Sequence, residues 1–129
     1  MKLWGMTLAI VCLMTTSSLA LERRFEASLR RLDPTTRLEQ ICSLESMARI
    51  KRDGKQFRPD RAVIDAVSAP KISGHSVQGT GGAFRSRGSW YQFEFTCKTT
   101  DDHMKVLSFD YRIGSPIPES RWSELGLWK

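Results

Sequence analysis

The spacing of apolar residues changes twice along this chain. Leu3 to Met14 is almost continuously apolar, and from Leu21 onward the spacing becomes helical. Leu21, Phe25, Leu29 and Leu32 recur one turn apart, with Arg23, Arg24, Arg30 and Arg31 on the other side. That predicts one amphipathic helix. Asp33-Pro34 ends it and starts a second. Asp is a good N-cap, and Pro is favoured at the first helical position because its missing N–H would be unpaired there anyway. The second helix is expected from Pro34 to about Ile50, with a stripe of Leu38, Ile41, Cys42 and Ala48 and Glu45 near its middle. Lys51-Arg52-Asp53-Gly54 supplies a cationic last turn and a glycine stop.

Beyond Phe57 the helical period is lost. Pro59-Asp60 reads as a turn, Ala62 to Val67 as a short β-branched strand and Ile72 to Val77 as a weakly alternating one. Gly79-Thr80-Gly81-Gly82 breaks or bulges the chain before Ala83-Phe84-Arg85, and Ser86-Arg87-Gly88-Ser89 is a turn. The clearest strand follows. Tyr91, Phe93, Phe95 and Cys97 point one way; Trp90, Gln92, Glu94 and Thr96 point the other. After Thr99 to Asp102, a further strand puts Leu107, Phe109, Tyr111 and Ile113 on one face. Pro116-Ile117-Pro118 stops the strand pattern, and Glu119 to Leu125 has room for about two helical turns. Trp122, Leu125, Leu127 and Trp128 offer apolar groups to an open end of the core. The expected architecture is α+β: two N-terminal helices on a small antiparallel sheet of about four strands, closed by a short C-terminal helical turn.

The first twenty residues stand outside that domain. Lys2, the apolar run, Thr15 to Ser18 and the small-x-small step Ser18-Leu19-Ala20 form the pattern of a secretory signal peptide cut after Ala20. Retention as a membrane anchor is the alternative. The run falls short of the roughly 20 residues a span needs, and Arg23 and Arg24 would sit on the far side. Cleavage leaves a single domain of residues 21–129 with no transmembrane span, in the periplasm or outside the cell.

Cleavage also changes the counts. The full chain of 129 residues has three cysteines and a formal charge of +6. Without Cys12 and Lys2, two cysteines remain and 19 basic residues face 14 acidic ones, a charge of +5. An even cysteine count in an oxidising compartment is the pattern of one disulfide. Cys42 falls on the apolar stripe of the second helix and Cys97 on the apolar face of the best strand. Each lies on a core-facing position, so a bond would pin that helix to that sheet; two free buried thiols are the alternative.

Several segments carry a resemblance. In order they are Leu32 through Asp33-Pro34-Thr35-Thr36-Arg37 to Cys42, Gly82 to Ser86, Trp90-Tyr91, Phe95 to Cys97, Asp102-His103, Ser108 to Tyr111 and Ile113-Gly114 to Ile117-Pro118. Together they resemble the domain of unknown function 930 family, small exported proteins of alphaproteobacteria. The resemblance spans nearly all of the chain after the leader, and the Leu-Asp-Pro to Cys block is its most specific part. It implies a bacterial, periplasmic protein. The family brings no established activity, so no functional residue is carried over.

Catalytic motifs are sparse. Gly79-Thr80-Gly81-Gly82 begins like a dinucleotide fingerprint, but a strand follows where a helix is required. Gly74 to Gln78 approaches a nucleophile elbow but has Gln78 where glycine must stand. His75 and His103, with the cysteines paired, are too few for a structural metal site, and no cofactor is expected. For an enzyme acting on envelope material, His103, Asp101 and Glu45 are the available acid–base groups.

A binding surface has more support. Pairing Cys97 with Lys105 would set Trp90 beside Arg112, with Arg85 and Arg87 at the adjacent turn. Tryptophan among arginines is the composition of a recognition site. Its structural alternative is a Trp90 covered by the first helix or the tail, with Arg112 stacked on it. The leading expectation is a non-catalytic interaction module whose partner is an envelope protein or an anionic envelope component, met by the positive charge. Nucleic acid is a poor partner for a chain that leaves the cytoplasm. A secreted hydrolase inhibitor is a further alternative.

Overall fold

The computed structural model describes residues 16–129. Residues 1–15, and with them most of the leader, lie outside the described residues. Helix α1 (Thr16–Arg31) starts before the expected Leu21. Among its apolar residues Leu29 is buried, whereas Leu21 and Phe25 are exposed.

The corner after α1 is built as the sequence indicates. Asp33 is extended, and its carboxylate accepts from the Thr36 N–H at 3.0 Å and the Thr36 hydroxyl at 2.6 Å. Those bonds hold the Asp33 carboxyl below its ordinary pKa. Helix α2 (Pro34–Asp53) then buries Leu38, Cys42, Ser46 and Ile50, one per turn. The buried stripe is rotated from the expected one: Ala48 is exposed and Glu45 is half-buried at its flank. Ser46 holds the central position because its hydroxyl donates to the Cys42 carbonyl at 2.8 Å, which removes the cost of burying it.

Five antiparallel strands follow: β1 (Pro59–Val63), β2 (Lys71–Ser73), β3 (Ser76–Ser86), β4 (Ser89–Thr99) and β5 (Val106–Pro116). The order is β1-β3-β4-β5, with β2 also paired to β3. The sheet differs from expectation in two places. β1 begins at Pro59, a strand-end position where a missing N–H is tolerated, and stops before the turn at Asp65. The segment Ile72 to Val77 is two strands joined at Gly74-His75, not one. The Gly79–Gly82 run is a bulge within β3: Gly79 pairs with Phe95 and Gly82 with Phe93. A side chain at Gly82 would stand 2.8 Å from the Phe93 ring, and one at Gly81 would overlap the Ser68 amide and hydroxyl. Arg87 and Gly88 both have positive φ, as a tight two-residue hairpin requires.

Helix α2 covers one face of the sheet, over Val77, Phe84, Phe93, Phe95, Cys97 and Phe109. The disulfide Cys42–Cys97 joins the two layers through this core, with Cα atoms 6.0 Å apart and a sequence separation of 55. Closing a loop of that size removes about 4 kcal/mol of unfolded-state entropy in the chain-entropy model. On the other face, the residues after β5 fold back. A 3-10 turn (Glu119–Arg121) leads Trp122 and Leu127 onto Ala83, Trp90 and Ile117, forming a second, smaller core.

Candidate functional site

Trp90 does not line an open surface. It is fully buried, and its indole N–H donates to the Trp128 carbonyl at 2.7 Å. Trp128 meets it edge to face, with ring centroids 5.4 Å apart. Arg85 completes the cluster: its guanidinium lies 5.9 Å from the Trp90 ring centre and 5.8 Å from that of Trp128. Two further bonds of 2.9 Å join Arg85 to both oxygens of Asp60 on β1. These hydrogen bonds hold the Asp60 carboxyl below its ordinary pKa and raise that of Arg85. Trp90 and Arg85 therefore fasten the C-terminal segment to the sheet. Arg87 is exposed in the β3–β4 turn.

The strand register separates Trp90 from Arg112. Cys97 faces Phe109, Thr96 faces Asp110 and Glu94 faces Arg112, a shift of four residues from the register that pairs Cys97 with Lys105. The cause is a longer loop. Residues 100–105 form a closed turn in which Thr100 N–H donates to Lys105 O and His103 N–H to Thr100 O, each at 2.9 Å. The Asp102 carboxylate accepts from the Thr100 hydroxyl at 2.6 Å and the Met104 N–H at 3.1 Å, which lowers its pKa. A register slip between Lys98 and Thr99 follows, and it turns Leu107 outward instead of inward.

Arg112 instead belongs to the part of the sheet that the C-terminal segment leaves open. Two adjoining shallow depressions, of about 230 and 250 Å³, share Thr80, Glu94 and Arg112. Gln78, Thr96 and Asp110 extend one end, and Gln92 and Ser115 the other. Gln92 donates to the Thr80 carbonyl at 3.0 Å across the bulge. Glu94, Asp110 and Arg112 make no ion pair within 4.0 Å among the described residues, although Glu94 and Arg112 are direct cross-strand neighbours. Such a face offers donors, acceptors and both signs of charge on a rigid support. The alternation of Gln92, Glu94 and Thr96 was the sequence signal for it.

The acid–base candidates are not assembled. His103 Nδ1 lies 2.7 Å from the Pro34 carbonyl at the start of α2. Glu45 sits eleven residues further along that helix, about 16 Å by helical rise. Asp101 is almost fully exposed and lies 3.4 Å from His75 Nδ1 in a surface pair. No group of three or more metal-ligating side chains occurs among the described residues.

Arg37 stood above only as part of a sequence block, yet it makes the densest side-chain hydrogen bonding among the described residues. Its guanidinium donates to the carbonyls of Leu29 (2.9 Å), Arg30 (3.1 Å) and Leu32 (2.9 Å), in and just beyond the last turn of α1, where helical partners run out; the Leu29 carbonyl also accepts from the Leu32 N–H at 3.1 Å. A fourth bond of 2.9 Å reaches the Asp102 carbonyl in the β4–β5 turn. The Asp-Pro corner explains this: it turns the chain so sharply that an arginine in the first turn of α2 faces back to the helix before it. Arg37 and His103 thus tie both helices to the turn beyond β4.

Together these features define a small α+β domain with a helix on one sheet face, a disulfide through the core and a C-terminal segment over part of the other face. A family model for Domain of Unknown Function (DUF930) matches residues 29–127, and the chain belongs to that family. No curated protein and no solved structure matches it. The matched span runs from Leu29, where α1 first enters the core, to Leu127 in the second core.

Proposed function

We propose that this protein is a non-catalytic interaction module of the cell envelope, and that it meets its partner through the open sheet face around Arg112. The observation that carries the reading is the set of uncommitted charges there. Glu94, Asp110 and Arg112 stand on rigid strands without ion pairs among the described residues, whereas Arg85 is held by Asp60. The strands have already ordered the backbone that carries these groups, so binding has only their side chains to immobilise. An envelope address is supported by the leader pattern in residues 1–20 and by the disulfide, which persists in oxidising compartments.

The test is a photo-crosslinking residue placed at Thr96 and exposed to isolated envelope. A defined adduct should form, and Arg112→Glu with Asp110→Arg should reduce it at least tenfold with the disulfide intact. An adduct that survives both charge reversals at full yield refutes the assignment. No observation favours the hydrolase reading over this one.

A further inference from the structure

We infer that two copies of this chain pair along β5, antiparallel and about a two-fold axis at Tyr111, so that their sheets run on as one. β5 ends the strand order, with β4 on one side and no strand on the other among the described residues. No other backbone segment hydrogen-bonds to Val106–Pro116 among the described residues. An open edge of this kind is a template for a further strand. The opposite edge is blunted: β1 has five residues, opens with Pro59 and slips in register beside it, and β2 has three residues. β5 has eleven residues, contains no lysine and reaches proline only at its last position. Its pairing with β4 keeps one register from Ser108 to Ile113, so the exposed edge is regular there.

The sequence of β5 selects the occupant. Successive residues of a strand alternate in face and in the side to which they direct N–H and C=O. An antiparallel pairing with a second β5 must therefore set even-numbered positions against even-numbered ones, which centres it on a residue. Centring on Asp110 or on Arg112 opposes like charges at the axis. Centring on Tyr111 sets Asp110 against the partner subunit's Arg112 and Arg112 against the partner subunit's Asp110, because two-fold symmetry makes the contact twice. Both side chains are exposed on the open face and make no ion pair within 4.0 Å among the described residues. On the face that α2 covers, the same register brings Phe109 against the partner's Ile113. The charge match is built into the strand itself, so the occupant is a second copy rather than an unrelated peptide. Charge fixes the register; the backbone ladder and the Phe109–Ile113 contacts hold the pair together.

This inference goes beyond the sheet-face reading and does not rest on it. Pairing joins two open faces edge to edge, and Thr80, Gln92 and Thr96 lie on the strands inward from that edge.

The experiment is sedimentation velocity on the full chain over a range of concentrations. The wild type should pass from monomer to dimer at or below about 100 μM, as mass action requires. Asp110→Arg and Arg112→Glu each oppose like charges at both contacts, and each should weaken the dimer by about tenfold or more. Mixing these two variants, or combining both substitutions in one chain, returns opposite charges to both contacts and should bring the dimer back to within about threefold of wild type. Hydrogen exchange under dimeric conditions should slow at alternate amides of Ser108–Gly114. A wild type that stays monomeric overturns the inference. A dimer that the single reversals leave unchanged also overturns it and assigns association to another surface, such as residues 1–15. A combined variant no better than the single ones excludes this register and the inference with it. The combined variant separates this result from the sheet-face assignment: it should lose the envelope adduct formed through Thr96 and keep the dimer. Buried-tryptophan emission and an intact disulfide verify folding in each variant.

Discussion

Replacing Arg37 by alanine should cost about 3 to 4 kcal/mol of folding stability, although the residue is only half-buried. The magnitude follows from its four carbonyl partners. The bonds to Leu29 and Leu32 are partly buried, and a hydrogen bond from a charged donor is worth about 1.5 kcal/mol or more in that setting. The bonds to Arg30 and Asp102 are exposed; water can replace the guanidinium there, so each contributes about 0.5 kcal/mol. Such a loss is a large part of the 5–15 kcal/mol typical of a domain. Arg37→Lys keeps the charge but not the planar fork, so it should recover about half. Arg37→Met keeps the apolar stem without donors and should behave like alanine if hydrogen bonding dominates. Urea unfolding with the disulfide intact, followed by tryptophan fluorescence, gives the global cost. Hydrogen exchange should also show faster opening of the last turn of α1 and of residues 100–105. Stability within 1 kcal/mol of wild type in Arg37→Ala, or a wild-type Arg37→Met, would refute the account of this corner.

Two further outcomes follow from the second core and its ion pair. Trp90→Ala should cost about 3–5 kcal/mol and free the C-terminal segment, seen in urea unfolding and as rapid tryptic cleavage after Arg121; a resistant Arg121 site would contradict the role given to Trp90. Asp60 has a lowered pKa in the folded protein because Arg85 hydrogen-bonds its carboxylate. The unfolded chain therefore binds this proton more tightly. The stability that Asp60 contributes is present above the ordinary Asp value of about 4 and is lost as pH falls through the lower folded value. Asp60→Asn should lose less stability than wild type between pH 5 and 2.5, by a modest amount because the carboxylate is more than half exposed. Parallel stability curves for the two proteins would overturn this reading.

Much of the architecture was legible in local pattern. The Asp33-Pro34 corner, the hydrophobic alternation from Tyr91 to Cys97 and the pairing of Cys42 with Cys97 are present as expected. Each depends on neighbours close in sequence or on a face that periodicity defines. The candidate face was harder because alternation tells which side of a strand a residue occupies, not what lies over that side. Trp90 is on the side opposite α2, as read, but Trp122, Leu127 and Trp128 return to cover it. The register was harder still. It depends on a six-residue turn held by Asp102 and Thr100, and on the slip at Leu107, neither of which a period-two pattern contains.

These differences change where recognition can occur. Once Trp90, Arg85 and His103 are seen to hold the fold together, they are no longer free to meet a partner without loosening the domain. Two surfaces are left with groups the fold does not use: the open sheet face at Glu94, Asp110 and Arg112, and the outer stripe of α1 at Leu21 and Phe25. The first is polar and rigid, the second apolar. A single ligand class would not satisfy both.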